Sequence, residues 1–348
     1  MNTTSANASK VLVTGGSGFL GGWCVIELLN QGYLVRTTLR DLSREAEVRA
    51  NLATQVDVSD RLEFCQADLL SDDGWAEAVA GCEYVLHVAS PFPPAQPKNA
   101  DDLVIPARDG TLRVLRAGLD GDVKRIVVTS SVAAIDFSGR DDVGRELNED
   151  DWTNPEHSAI TPYTKSKTVA ELAAWKLVEE RGASDRIAVV NPGAIIGPVL
   201  SEDRSYSIQL VERMLAGEPA VPKLGFGVVD VRDVAKLEVL AMTAPEAAGK
   251  RFVAVSEFAW MADIANVLRE RLGDRAKNVP RRTAPNFAVK AMALFDPDVR
   301  SIVGDLGKKT IYSAERAKTL LGWEPRPAAD SVVDCAESLI ETGVVKAA

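Results

Sequence analysis

The chain has 348 residues, 46% of them hydrophobic, a formal net charge of -10 and only two histidines. That acidic balance excludes nucleic acid as the natural partner and offers nothing to an anionic membrane surface, while the length is enough for two lobes around a large core. Residues Met1 to Ser9 read as a polar leader without the apolar stretch of a signal peptide, and no run approaches the roughly 18 apolar residues of a spanning helix.

Taken in chain order, Lys10 to Thr14 reads as a buried strand, and the glycine run Gly15-Gly16-Ser17-Gly18-Phe19-Leu20-Gly21 opens a helix over Gly18 to Asn30. Gly15 suits the tight turn after the strand, Gly18 removes a side chain where a phosphate must reach the backbone, and Gly21 lets the helix pack closely on the strand. The amides of that helix start then face an anion. Glycines at this spacing also make a plain tight turn. The strand before them and the amphipathic helix after them are what point to a dinucleotide.

Further strands are expected at Leu34 to Leu39, Leu62 to Gln66, Tyr84 to Val88, Arg125 to Ser130 and Arg186 to Asn191. Helical patterns lie between them at Ser43 to Ala53, Asp73 to Ala80, Asp101 to Leu119 and Pro162 to Arg181. Six strands with helical crossovers make an α/β fold with a doubly wound parallel sheet, whose ligands bind beyond the carboxyl ends of the strands. Those ends carry Gly15, Arg40, Asp68, Ala89, Ser131 and Pro192. After Asn191 the alternation weakens. The organisation expected is a dinucleotide-binding domain over residues 1–191 with a return segment at 227–244, and a smaller substrate lobe from 192–226 and 245–348. The proline cluster Pro91 to Pro97 reads as a stiff loop at a site edge. Cys24, Cys65, Cys82 and Cys335 lack metal spacing and read as free thiols of a reducing, cytoplasmic compartment.

The second chemical feature is Tyr163-Thr164-Lys165-Ser166-Lys167. Thr161 as N-cap and Pro162 at the first helical position put Tyr163 and Lys167 on one helix face. A cation beside a phenol favours the phenolate and would bring the tyrosine toward neutrality from its ordinary value of about 10, although this spacing is also common on solvated faces. The third is Thr129-Ser130-Ser131 at the end of the fifth strand, a turn hydroxyl or a catalytic one. His87 sits in an apolar strand and reads as a satisfied core histidine. Asp230 and Asp233 bracket a strand-to-helix transition and read as caps, with no metal-binding cluster anywhere.

Over essentially its whole length the chain resembles the extended short-chain dehydrogenase/reductase family, in the branch of dihydroflavonol reductases, cinnamoyl-CoA reductases and yeast-type aldehyde (methylglyoxal) reductases. The likeness rests on Thr14 to Trp23, Ala67-Asp68-Leu69, His87 to Pro91, Val128 to Ser131, Tyr163 with Lys167, Asn191-Pro192-Gly193, Val229 to Ala235 and Leu321 to Pro325. It implies a Rossmann fold with a smaller C-terminal α/β substrate lobe, and Ser131, Tyr163 and Lys167 as catalytic residues. The cofactor would be held by Gly15, Ser17, Gly18, Phe19, Leu20, Gly21, Arg40, Arg44, Asp68, Leu69, Val88, Ala89, Ser90, Thr129, Tyr163, Lys167, Pro192 and Gly193. Many relatives place an assisting asparagine in the helix before the fifth strand. Ile105 to Gly110 offers none here.

The mechanism implied is hydride delivery to a carbonyl carbon while Ser131 holds the oxygen and Tyr163 protonates it, Lys167 binding the cofactor ribose. At the end of the second strand stands Leu39-Arg40-Asp41. Arg40 suits a 2'-phosphate and so NADP(H), whereas a one-residue shift would make Asp41 an NAD(H) partner. The substrate, an aldehyde or ketone, would be lined by Phe92, Pro93, Val132, Ala133, Ile160, Ala194, Ile195, Tyr206 and Phe226, a mainly apolar set. An NAD-dependent nucleotide-sugar epimerase, with Arg204 or Arg213 on a phosphate, and a non-catalytic NADP sensor are the other readings. A monomer or a homodimer is expected, with a small molecule as the partner.

Overall fold

The computed structural model describes residues 9–91, 97, 99–136, 145–201 and 205–345. Its first half alternates strictly: β1 Lys10–Thr14, α1 Phe19–Asn30, β2 Leu34–Leu39, α2 Glu45–Ala53, β3 Leu62–Gln66, α3 Trp75–Val79, β4 Tyr84–His87, α4 Asp101–Asp120, β5 Arg125–Thr129. A short β6 at Glu146–Leu147 precedes α5 Pro162–Glu180 and β7 Ile187–Pro192. The remainder comprises β8 Ala194–Ile196, α6 Tyr206–Leu215, β9 Val221–Pro222, β10 Gly225–Asp230, α7 Val231–Thr243, β11 Lys250–Ala254, β12 Glu257–Trp260, α8 Met261–Leu272, β13 Thr283–Ala284, α9 Asn286–Met292, α10 Pro297–Ile302, β14 Ile311–Tyr312, α11 Glu315–Leu321 and α12 Ala328–Glu341.

Seven strands form one parallel sheet in the order β11-β7-β5-β4-β1-β2-β3. Its central strands are apolar at successive positions because both faces are covered. Val11 and Val13 enter one core layer and Leu12 the other, and Val127 is likewise separated from Ile126 and Val128. Helices α4 and α5 pack together on one side, α1 and α7 on the other. The chain order reverses between β1 and β4, and the loops leaving those two strands form the crevice where an α/β sheet takes its ligand.

Two expectations about organisation are corrected. The main sheet has seven strands, because Lys250–Ala254, assigned to the substrate lobe, pairs with β7 along its length. Phe252, Val253 and Ala254 are each fully buried, with β7 alongside and α11 packed against this edge strand. The return segment 227–244 divides: α7 packs on α1, β5 and β7, but β10 leaves the main sheet and joins β8 and β12 in a three-stranded one. Gly193 and Gly227 let these backbones meet, since a Cβ on Gly193 would lie 2.2 Å from the Gly227 carbonyl oxygen.

Candidate active site

The glycine turn is fixed by threonine hydroxyls. Gly15 takes φ +73°, and a Cβ there would press on Ala89 at 3.0 Å. A Cβ on Gly21 would lie 2.1 Å from the Gly15 carbonyl oxygen, so the helix rests directly on the turn. The Gly15 amide donates to Thr38 Oγ1 and the Gly16 amide to Thr37 Oγ1, each at 3.0 Å, while Thr37 Oγ1 donates to the Val13 carbonyl at 2.8 Å. From the neighbouring loop, the Ala89 amide donates to Thr14 Oγ1 at 3.0 Å. Thus β2 and β4 both hold the turn that follows β1. Helix α1 follows Gly18 as its N-cap residue, with no side-chain cap and no acidic residue in its first turn. A bare, positively polarised helix start of this kind fits a pyrophosphate, and Ser17, Phe19 and Leu20 lie on it.

At the end of β2, Leu39 is buried and Arg40 is exposed, with its backbone carbonyl accepting from Gln66 Nε2 at 3.0 Å. Asp41 is engaged locally. Its carboxylate caps the following turn by accepting the Ser43 amide at 2.9 Å, and hydrogen bonds from the Ser43 hydroxyl first and this amide second lower its pKa below the usual value. Arg44 lies beside Ser17 and Gly18 around a shallow depression and pairs with Glu47 at 3.0 Å. Asp68 Oδ1 accepts the Leu70 amide at 3.0 Å, and Leu69 lends its carbonyl to Arg113 at 2.8 Å. Val88, Ala89 and Ser90 follow β4, Pro192 ends β7 and Gly193 follows it, all at the carboxyl ends of the sheet strands.

Ser131, Tyr163 and Lys167 converge beyond the ends of β5 and β7. Thr161 caps α5 by accepting the Thr164 amide at 3.1 Å, and Pro162 occupies its first turn, which fixes where Tyr163 emerges. The Tyr163 phenol shares a hydrogen bond with Ser131. Lys167 Nζ donates to the Thr129 carbonyl at 3.5 Å. The adjacent serines have separate partners, Ser130 being bound to the Glu171 carboxylate in the interior. Asn191 Nδ2 donates to the Ser131 carbonyl at 3.1 Å and to Glu171 at 2.8 Å, which pins the strand end from which Ser131 projects.

The expectation about the phenol is reversed. Burial pushes the Tyr163 pKa up from 10.0, the Ser131 bond opposes this, and the nearby Asp136 carboxylate raises it further. Lys167 is itself pushed down to about 8 by burial, with Glu171 and Glu238 drawing it back. In this environment the phenol keeps its proton at neutral pH, as a proton donor must.

Several groups at this centre were not singled out from the sequence. Glu171 is bound by Arg251 at 2.6 Å, and Arg251 also donates to the Glu149 and Asp151 carbonyls at 2.9 and 2.7 Å and lies over the Trp152 ring. Polar residues in otherwise apolar runs, Asn191 after Val189-Val190 and Arg251 before Phe252, were the available signal. Asp136, on the loop after Ser131, accepts from the Tyr312 hydroxyl, and burial carries its pKa to about 7. The lining is therefore not simply apolar. Val132 and Ala133 follow Ser131, Ala194 and Ile195 lie on β8 beside β10, which carries Phe226, Ile160 precedes α5, and Tyr206 is 45% exposed at the start of α6. Phe92, Pro93 and Arg204 lie outside the described residues.

His87 is held between Thr14, at 3.0 Å, and Thr111, at 3.4 Å, and burial lowers its pKa to about 3, so it is a neutral core residue. The Thr129 hydroxyl turns inward to Glu238, leaving its carbonyl to Lys167. Arg213 pairs with Glu218, Asp230 caps α7, and Asp233 holds Arg326. All four cysteines are free, and among the described residues no acidic, histidine or cysteine cluster could hold a metal. No helix among the described residues is long and apolar enough to cross a membrane.

The NAD dependent epimerase/dehydratase family model matches residues 11–254. Cinnamoyl-CoA reductase CAD2 of Medicago truncatula is 34% identical over 272 residues, 77% of this chain and 82% of that protein. A putative anthocyanidin reductase of Ginkgo biloba is 33% identical over 315 residues, 84% and 90% of the two chains. The structure of yeast methylglyoxal/isovaleraldehyde reductase Gre2 complexed with NADPH aligns at a TM-score of 0.78 and 25% identity, covering 96% of this chain and 99% of that one.

Proposed function

We propose that this chain, which belongs to the NAD dependent epimerase/dehydratase family of extended short-chain dehydrogenases/reductases, is an NADPH-dependent carbonyl reductase that converts an aldehyde or ketone to an alcohol. The observation that carries the reading is the hydrogen bond between Ser131 and Tyr163 at the strand ends, in a centre that also holds Lys167. NADPH, when bound, supplies the hydride. The turn Gly15 to Gly21 and the bare start of α1 would hold its pyrophosphate, Arg40 and Arg44 its 2'-phosphate, Asp68 and Leu69 its adenine, and Val88 to Ser90, Pro192 and Gly193 the nicotinamide half.

Ser131 Oγ and the Tyr163 phenol present two donors that a carbonyl oxygen can accept together, in the place of the bond they now make to each other. As charge grows on that oxygen, Tyr163 gives up its proton and Ser131 continues to donate. Lys167, close behind on the same helix face, supplies positive charge to the phenolate left behind. Asp41 being committed to the Ser43 amide favours NADPH over NADH. Substrates with an apolar or aryl body fit Val132, Ile160, Ile195 and Phe226 better than a nucleotide sugar does, because Arg213 is already paired with Glu218.

Spectrophotometric oxidation of NADPH and NADH across aldehydes, diketones, aryl ketones and dihydroflavonols tests this directly. The expected result is oxidation of NADPH by at least one class, abolished in Tyr163→Phe with NADPH binding retained. Turnover in that variant comparable to the parent would remove Tyr163 from its role. Tight NADPH binding without oxidation by any carbonyl would leave a sensor.

A further inference from the structure

Two carboxylates lie behind Lys167. Glu171, one turn further along α5, accepts from Ser130, from Asn191 at 2.8 Å and from Trp175 at 3.3 Å, and its charge is met by Arg251 at 2.6 Å. Glu238, reaching in from α7, is fully buried and has no such cation. Its Oε1 accepts from Thr129 Oγ1 at 2.7 Å, and its Oε2 meets no hydrogen-bond donor among the described residues. Thr129 touches both groups: the hydroxyl donates to Glu238, and the backbone carbonyl accepts from Lys167 Nζ.

The influence is mutual, since Lys167 draws the Glu238 pKa down and Glu238 draws that of Lys167 up, against the burial that acts on each. The other titratable groups facing the pair are Glu171 with its Arg251, neutral His87 on β4, Tyr163 on α5, and the Cys24 thiol on α1, which feels the Glu238 charge and which burial keeps protonated. None of them supplies a cation to Glu238. A buried carboxyl with one oxygen unpaired is costly, so its presence here calls for a reason.

We propose that Glu238 is a positioning residue for the reaction, the buried carboxyl that holds the Lys167 amine behind Tyr163 by way of Thr129. The proposal rests on the reading that Lys167 assists Tyr163. Burial lowers the Lys167 pKa to about 8 and raises that of Glu238 to about 8, so the two titrations are coupled, and ionisation of the carboxyl keeps the proton on the amine to higher pH. Glu238→Gln keeps an oxygen for Thr129 but carries no charge, so Lys167 loses its proton at lower pH.

Two measurements test this. In the cofactor-free protein, a double-mutant cycle of Glu238→Gln and Lys167→Met on urea unfolding, run from about pH 6 to about pH 9, is expected to be non-additive, with the coupling greatest near pH 8, where both charges coexist, and smaller at either end. Additivity at every pH overturns the proposal, whatever the enzyme reduces. In the pH profile of kcat/KM, Glu238→Gln is expected to move the alkaline limb down by about one unit, Thr129→Val to move it the same way, and Glu238→Asp to restore it in part. A limb left in place by both Glu238→Gln and Thr129→Val, even with a lowered melting temperature, assigns Glu238 to packing alone and overturns the proposal. If no carbonyl is reduced at all, the unfolding cycle still decides the pair, so the two readings fail separately.

Discussion

Thr37→Val tests whether the glycine turn is held by hydroxyls and not merely by its own glycines. Thr37 is fully buried, and valine matches its shape. The change removes the acceptor of the Gly16 amide and the donor to the Val13 carbonyl, bonds of 3.0 and 2.8 Å. Each buried group left without a partner costs about 1–3 kcal/mol, so the pair sums to about 3 kcal/mol once the turn has relaxed somewhat. Spread over the unfolding entropy of a chain this long, that lowers the melting temperature by about 4 °C. Some of the strain is relieved by displacement of the turn, and if about 1.4 kcal/mol of it reappears as misaligned amides, NADPH binds about ten-fold more weakly. Thr37→Ser is the control. It keeps both hydrogen bonds and loses one buried methyl, about 0.8 kcal/mol, with little change in affinity. Urea unfolding and calorimetric titration with NADPH read the two effects. Should the valine variant match the serine variant in both, the Thr37 hydroxyl does not hold the turn, and the anion site rests on its glycines alone.

Arg251→Met leaves Glu171 as a buried, uncompensated carboxylate and is expected to cost about 3–5 kcal/mol in urea unfolding, whereas Arg251→Met with Glu171→Leu recovers much of it; equal loss in both variants would contradict an ion-pair role. Arg40→Ala is expected to lower the preference for NADPH over NADH at least roughly ten-fold, read from the two dissociation constants, and an unchanged ratio would return the assignment to Asp41. Asp136→Asn removes a carboxyl whose folded pKa, about 7, stands above its unfolded value of 3.8. The folded protein therefore binds the extra proton between those values, and stability falls as pH rises through the window. The variant flattens that slope in urea unfolding and, by deleting a negative charge beside Tyr163, moves the loss of the phenol proton to lower pH.

The local pattern settled much of this molecule. Strands β1, β2 and β3 run between the residues the apolar pattern indicated, and the cap Thr161 with Pro162 fixed the start of α5, because these depend on side-chain periodicity and on backbone groups a few residues apart. Tyr163 and Lys167 share a face for the same reason, so their nearness to each other was legible before any fold was known.

What the sequence could not determine is which distant side chains would fill the space behind them. That Lys250–Ala254 would extend the main sheet, that Thr37 would hold a turn about twenty residues earlier, and that Arg251 would neutralise Glu171 each depend on how strands order and helices pack. The tyrosine shows the difference most plainly. Sequence spacing put a cation beside it and implied a lowered pKa, but the charge state of a buried group is set by its whole surroundings, and only the fold decided that desolvation and Asp136 would raise it against the Ser131 hydrogen bond.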